Sequence, residues 1–236
     1  MTQIRRKMQP LVAMGAMGRL LKNPEATEEV FIIIQALAGD SVERGYARFK
    51  STPQAGAILA QERALIDVLA DRNYLRQLPD GSLGRAYLKF MEEGNITADG
   101  LKAASEVNQE ERFADPALET YALRLRDQHD LWHTVSGFGR DVAGEACLLA
   151  FTYAQTQNRG LGFIALMGGL KLRKAYGAAI FKSMWQAYQM GRRARWLPGQ
   201  WWEQKLSQPL AQVQQELAIT APDRYENLPR SLAAAS

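Results

Sequence analysis

Apolar residues recur three and four positions apart along nearly the whole chain, the spacing of one face of a helix. Asn23-Pro24 followed by Glu25, Glu28 and Glu29 predicts a helix start, with proline and acids in the first turn. Val30, Phe31, Ile33, Ile34 and Leu37 continue that helix, and Gly39 is its expected stop. Thr52-Pro53 opens another on Ala57, Ile58, Ala60, Ala64, Leu65 and Leu69. Ser82 caps a third bearing Leu83, Tyr87, Phe90 and Met91 before Gly94, and Thr97 caps a short fourth through Leu101 and Ala104. Asp115-Pro116 begins a long helix that runs through Leu118, Leu123 and Leu125 into His129. Residues 141–157 are apolar on most sides (Val142, Ala143, Ala146, Leu148, Leu149, Phe151), which predicts a buried central helix. Another covers 161–195, bent at Gly168-Gly169 and ended by Pro198-Gly199; Pro209 opens a last one through Leu210, Val213 and Leu217. The tail beyond Pro222 is polar and rich in alanine and serine, and poor order is expected there. No run alternates as a strand does, and no repeat has a fixed period. The expected fold is all-α: a single domain over 1–236, a helical bundle with long central helices.

Composition narrows the setting. At 236 residues, with 47% hydrophobic and 23% charged, the chain is long enough and apolar enough for one substantial folded domain. Its one cysteine, Cys147, excludes an intrachain disulfide and favours a reducing compartment. The start MTQIRRKMQPLVAMGAMGRLL is basic and then apolar, but Gly15, Gly18 and Arg19 interrupt it, so an amphipathic first helix is expected rather than a signal peptide. No stretch reaches the ~18 apolar residues of a membrane span; LGFIALMGGL runs straight into Lys171, Arg173 and Lys174. The net charge of +4 is unevenly spread: residues 146–202 hold no Asp or Glu. They hold Arg159, Lys171, Arg173, Lys174, Lys182, Arg192, Arg193 and Arg195, together with Trp185, Trp196, Trp201 and Trp202. Such a region suits nucleic acid, an anionic membrane or an acidic partner. It also suits a solvated helix face backed by core aromatics.

The chain's two histidines both fall in HDLWHTVSGFGRDVAGE, which runs from His129 to Glu145. On a helix, His129 and His133 project about 40° apart and roughly 6 Å along the axis, and Asp130 falls within an arc of about 100° with them. Two imidazoles and a carboxylate on one face suit a divalent metal with positions left open. Glu145 on a straight helix would sit about 18 Å beyond His133. Gly137 and Gly139 permit a reversal that swings it back, because glycine accepts left-handed backbone. Alternatively, the histidines line a helix surface and Glu145 is an ion-pair partner. Arg140 either pairs with Asp141 or reaches out to a substrate carboxylate or phosphate. Cys147 reads as a small buried side chain.

His129-Asp130-x-x-His133, eleven residues and then Glu145 resembles the signature of the coenzyme Q (ubiquinone) biosynthesis protein four family. The likeness extends to NPExTEEVF at Asn23, GSLGRAYLKFM at Gly81, GFGRDVAGEACLLAF at Gly137, GRRARWLPGQWWE at Gly191 and PLAQVQQELAI at Pro209. The resemblance implies an all-helical protein, peripheral on a membrane, that works on prenylated quinone precursors. It places a metal, usually zinc, on His129, Asp130, His133 and Glu145. It implies oxidative decarboxylation at ring carbon one, or an organising, prenyl-lipid-binding role in a quinone-biosynthetic complex; for the first, Asp130, Glu145 and Arg140 are the expected catalytic residues, with Arg140 orienting a substrate carboxylate. Iron suits the ligands as well as zinc does, and only iron is redox-active. Without the long targeting extension of eukaryotic members, a bacterial protein is expected, on the cytoplasmic face of the inner membrane. An anionic membrane surface, other quinone-biosynthesis proteins and a second copy in a homodimer are the expected partners; nucleic acid is not. The acid-free region then gains a use, with Lys171, Arg173, Lys174 and the Arg192 cluster meeting anionic headgroups.

Overall fold

The computed structural model describes residues 8–23, 26–97 and 113–229. Among them every regular element is helical, and the one strand-like feature is an isolated antiparallel bridge between Ser82 and Pro209. The all-α expectation holds. The predicted helix after Thr97 lies outside the described residues. Packing divides the chain into two compact units, residues 1–45, 141–192 and 222–236 in the first and 46–140 and 193–221 in the second.

In the first unit, the helix Pro10–Lys22 seats Ala13, Ala16 and Met17 against Ile33 and Ala36 of Thr27–Ala38 and against Ile164 of Arg159–Tyr176. Small residues on the first helix let it come close. Gly160 serves the same purpose, since a Cβ there would stand 2.6 Å from the Ile34 Cα. Glu29 receives both guanidinium arms of Arg19, the Nη2 arm at 2.8 Å. Asp141 caps Val142–Thr156 by accepting the Ala143 and Gly144 amides at 3.0 and 3.1 Å. That helix buries Ala143, Ala146, Cys147, Leu148 and Phe151, the central role its composition predicts.

The single helix expected over 161–195 is two helices, Arg159–Tyr176 and Ala179–Arg193. The break falls at Gly177, in left-handed backbone at φ 60°, and not at Gly168-Gly169. Gly169 stays helical and buys closeness instead: a Cβ there would meet the Met184 sulfur at 2.8 Å. After Pro222 the chain makes one more turn, Asp223–Glu226. The Tyr225 hydroxyl donates to Asp141, and the Arg224 amide donates to Gln186 at 2.9 Å.

In the second unit the helix expected from 52 to 69 splits into Ala55–Leu59 and Leu65–Ala70, and Asp71 then caps an unforeseen helix, Arg72–Gln77. Ser41–Lys50 was also unforeseen; its Tyr46 and Phe49 rings meet Tyr121 at centroid distances of 5.8 and 5.2 Å. Ser82 caps Leu83–Glu93 as predicted. That helix is anchored where the Leu83 and Gly84 amides donate to the Gln208 and Leu206 carbonyls at 2.9 and 2.8 Å. The remaining α-helices of this unit are Pro116–Asp127, His129–Ser136, Trp202–Lys205 and Leu210–Glu216, with a 3-10 turn at Leu197–Gly199.

Candidate metal centre

The histidine helix, His129–Ser136, does not continue Pro116–Asp127 in one piece: the two meet at Gln128. The buried Gln128 side-chain oxygen accepts indole N–H groups from Trp202 at 2.7 Å and Trp132 at 3.3 Å. One turn earlier, Arg124 forks onto Glu203, Nη1 to Oε1 at 2.6 Å and Nη2 to Oε2 at 2.7 Å, and Nη2 also reaches the Gln200 carbonyl at 3.2 Å. At the other end, Gln214 donates to the Val135 carbonyl at 2.9 Å. Gly137 then closes the helix in left-handed backbone, φ 78°. That left-handed helix end is the local part of what the glycines were expected to allow. The anchors around it were not predicted.

On this helix His129, Asp130 and His133 each offer a ligand atom, and those atoms lie within 4.8 Å of one another. His129 is exposed, Asp130 half-buried and His133 buried. His133 Nδ1 is 2.9 Å from the Phe138 carbonyl, and His129 Nδ1 is 3.3 Å from Asp130 Oδ1. Both oxygens are acceptors, so each Nδ1 is placed to donate, which leaves Nε2 as the nitrogen that can face a metal, the arrangement metal-binding histidines use. Two ligands about 2.1 Å from one ion stand no more than about 4.2 Å apart. On a tetrahedral ion they stand about 3.4 Å apart, so a fit asks the trio to draw in by up to about 1.4 Å. The donor set and its hydrogen bonding suit a divalent ion.

Burial acts to raise the Asp130 carboxyl, but the His129 hydrogen bond and the charges of His129, Arg140 and His133 outweigh it and hold it below the ordinary aspartate range. Asp130 is thus an ionised, ligand-ready carboxylate at neutral pH. The His129 and His133 rings meet edge-on at 4.8 Å, and Phe90 stacks on His133 at 5.3 Å. Arg140 reaches this cluster: its Nη2 is 3.8 Å from Asp130 Oδ1 and 3.0 Å from the Met91 sulfur, and its guanidinium lies 4.0 Å over the Phe90 ring. Gly94 makes room for it, since a Cβ there would come within 2.9 Å of the guanidinium.

Glu145 and Asp141 belong to the first unit. Glu145 is half-buried on the first turn of Val142–Thr156, and its amide donates to the Asp141 carbonyl at 2.9 Å. Asp141 is taken up by its cap and by Tyr225. Cys147 is fully buried in that helix. The structure thus gathers three of the four sequence-expected ligands and Arg140 in one place. Sequence reasoning missed Phe90, Gly94, Gln128 and Tyr87, the last buried on the helix that packs against the histidine helix. The GSLGRAYLKFM stretch held two of those four, Tyr87 and Phe90, but without spatial information it read only as a helix and as part of the family likeness.

In the acid-free region, Lys171, Arg173 and Lys174 are exposed together with Leu166 and Leu170, and Trp185 is 61% exposed. Trp202 is buried and Trp196 lies under Arg48, so that region mixes surface with core. No helix among the described residues is long and apolar enough to cross a membrane.

Residues 2–223 match the family model described as coenzyme Q (ubiquinone) biosynthesis protein Coq4. A Mus musculus protein named ubiquinone biosynthesis protein COQ4 homolog, mitochondrial, is 31% identical over 219 residues, spanning 91% of this chain and 79% of its own. The Homo sapiens protein of the same name is 27% identical over 217 residues, with 91% and 79% covered. A protein of known crystal structure from Nostoc punctiforme shares the fold at a TM-score of 0.64 and 20% identity, over 91% of this chain and all of that one.

Proposed function

The chain belongs to the coenzyme Q (ubiquinone) biosynthesis protein Coq4 family, and from that membership we propose a metal-dependent, membrane-peripheral enzyme of prenylquinone biosynthesis. Its reaction would be oxidative decarboxylation at ring carbon one of a prenylated hydroxybenzoate-type acid. The observation that carries this reading is the convergence of His129, Asp130 and His133, with His133 oriented by the Phe138 carbonyl. These three residues would hold the ion, and the signature adds Glu145 as a fourth ligand. A divalent metal there supplies a Lewis acid for a carboxylate or ring oxygen, and iron would add electron transfer to oxygen.

The protein's own groups divide the remaining work. Arg140, held flat on Phe90, offers a planar fork suited to a carboxylate. Phe90 and His133 present an aromatic wall to a ring. Asp130, ionised and bonded to His129, keeps the histidine pair in register. Exchanging the ring carboxyl for a hydroxyl breaks one carbon–carbon bond, releases carbon dioxide and forms one carbon–oxygen bond. The step balances with water supplying the hydroxyl oxygen and the two electrons lost by the ring reducing dioxygen to hydrogen peroxide.

Membrane residence follows from the substrate class, since a polyprenyl tail partitions into the bilayer. The exposed Leu166, Leu170, Lys171, Arg173 and Lys174 support it, as does the N-terminal helix, which exposes Leu11, Val12, Met14 and Leu21 beside Arg19 and Lys22. The deciding experiment combines native mass spectrometry with elemental analysis and turnover of the prenylated acid under oxygen. One metal per chain is expected, with His133→Ala losing both metal and turnover. Glu145→Gln tests the fourth ligand by the same two readouts. Metal retention with no turnover in the unaltered protein would overturn the enzyme reading in favour of a prenyl-lipid-binding scaffold.

A further inference from the structure

Three buried donor atoms of the second unit, Tyr87 Oη, Arg72 Nη1 and Arg140 Nε, have no hydrogen-bond partner among the described residues. Tyr87 is wholly buried, on the helix Leu83–Glu93 that packs against the histidine helix. Four charges act on its hydroxyl: Asp130 and Asp127, and in the opposite sense Arg72 and Arg140. Both arginines are pinned. Arg72 Nη2 donates to the Ile96 carbonyl at 3.0 Å, and Arg140 Nη2 rests on the Met91 sulfur at 3.0 Å. Each thus keeps one buried N–H still to be satisfied.

Native proteins leave few buried donors without acceptors, and those that persist mark places where a ligand or a water belongs. Guanidinium groups only donate, so whatever completes this cluster must be rich in acceptors. The two acids nearby are already engaged, Asp130 with His129 and Arg140, Asp127 with Arg126 Nε at 3.9 Å. Two cationic donors and a hydroxyl favour an anion, and a carboxylate offers the two oxygens that a fork geometry takes.

We propose that Tyr87, Arg72 and Arg140 form an oxyanion pocket beside the His129–Asp130–His133 triad, which binds the carboxylate of an aromatic acid. This rests on the reading above that the site handles such an acid, and it adds Tyr87 and Arg72 to the residues that select it. The pocket distinguishes an acid from the corresponding carboxyl-free phenol, and so substrate from decarboxylated product.

The test uses the full chain, as purified and after chelation, with 4-hydroxybenzoate and phenol as probes in ligand-observed NMR. The acid should bind both preparations, and phenol should bind at least ten-fold more weakly. Tyr87→Phe, which removes one oxygen, should weaken the acid by about ten-fold while leaving melting temperature and metal content unchanged. Arg72→Gln gives an independent second reading in the same direction. Acid binding that ignores both substitutions overturns the pocket, as does equal binding of phenol, or displacement of the acid by equimolar inorganic phosphate. Metal content and turnover are read separately: acid binding through Tyr87 in the chelated protein sustains the pocket, while a chain that holds no metal as purified, or turns over unchanged after chelation, sinks the metal reading alone; one metal per chain with acid binding indifferent to Tyr87 overturns the pocket alone.

Discussion

Replacing Glu203 by alanine tests what holds the histidine helix in place. Glu203 and Arg124 side chains are only 11% and 6% exposed, and two short charge-assisted bonds join them. Exposed pairs contribute about 0–1 kcal/mol, but stranding one partner of a buried pair costs about 3–5 kcal/mol. Alanine at 203 leaves the Arg124 guanidinium buried with the Gln200 carbonyl as its recorded acceptor, at 3.2 Å. The expected loss is about 3–5 kcal/mol, a large part of the roughly 5–15 kcal/mol that keeps a domain folded. For a chain of this size that lowers the melting temperature by about 6–20 °C. Circular dichroism with heat and with urea would measure it, at an unchanged m-value. The double replacement Arg124→Met with Glu203→Leu should recover most of the loss, since it removes both charges and keeps the volume. A single-variant cost below about 1 kcal/mol, or a double variant no better than the single, would refute the reasoning.

Cys147 should ignore iodoacetamide in the native protein at pH 8 and react once urea unfolds it. Burial, with a smaller contribution from Asp141, pushes its thiol up to about 12, and labelling at native-state rates typical of free thiols would contradict this. Acid should loosen the packing of the N-terminal helix. Hydrogen bonding to Arg19 holds the folded Glu29 carboxyl below its usual range against the effect of burial, so its contribution is complete above the pH where an unfolded glutamate titrates and is lost as pH falls through the lower, folded value. Amide hydrogen exchange in Pro10–Lys22 should rise over that window in the unaltered protein, and Glu29→Gln should show no such rise. Flotation with anionic liposomes should exceed that with neutral ones, and neutralising Lys171, Arg173 and Lys174 together should reduce it several-fold; salt-independent, charge-independent flotation would count against the basic surface.

How much of this could be read along the chain depends on how local each cause is. Ser82, Asp141 and Gly137 act on residues one to four positions away, so their helix boundaries were legible. The ligand face of His129, Asp130 and His133 needed only helical spacing, and it was legible too. Gly177 carried the same positive-φ signal as Gly39, but Gly168-Gly169 looked the stronger breaker; Gly169 instead stays helical, and its missing Cβ leaves room for Met184 and Phe181. The Gln128 break has no local signal at all. Its cause is Trp202, 74 residues on, just as Arg124 answers to Glu203, 79 residues on. The tryptophans of the acid-free region likewise read as one aromatic, basic set, whereas Trp202 belongs to the core and Trp185 to the surface. Periodicity separates buried from exposed faces only within one helix, and these residues sit on several short ones.

The shared acceptor at Gln128 also gives the molecule an optical signal of its own. Indole emission shifts with the strength of the N–H bond and the polarity around the ring. Two of the five tryptophans bond to one oxygen, on the residue directly before His129. Any event that rotates or tightens the start of the histidine helix must tug on that oxygen and so change the light from Trp132 and Trp202 together. Metal or acid titrations can therefore be followed by intrinsic fluorescence, with Trp185→Phe removing the surface background and no dye attached.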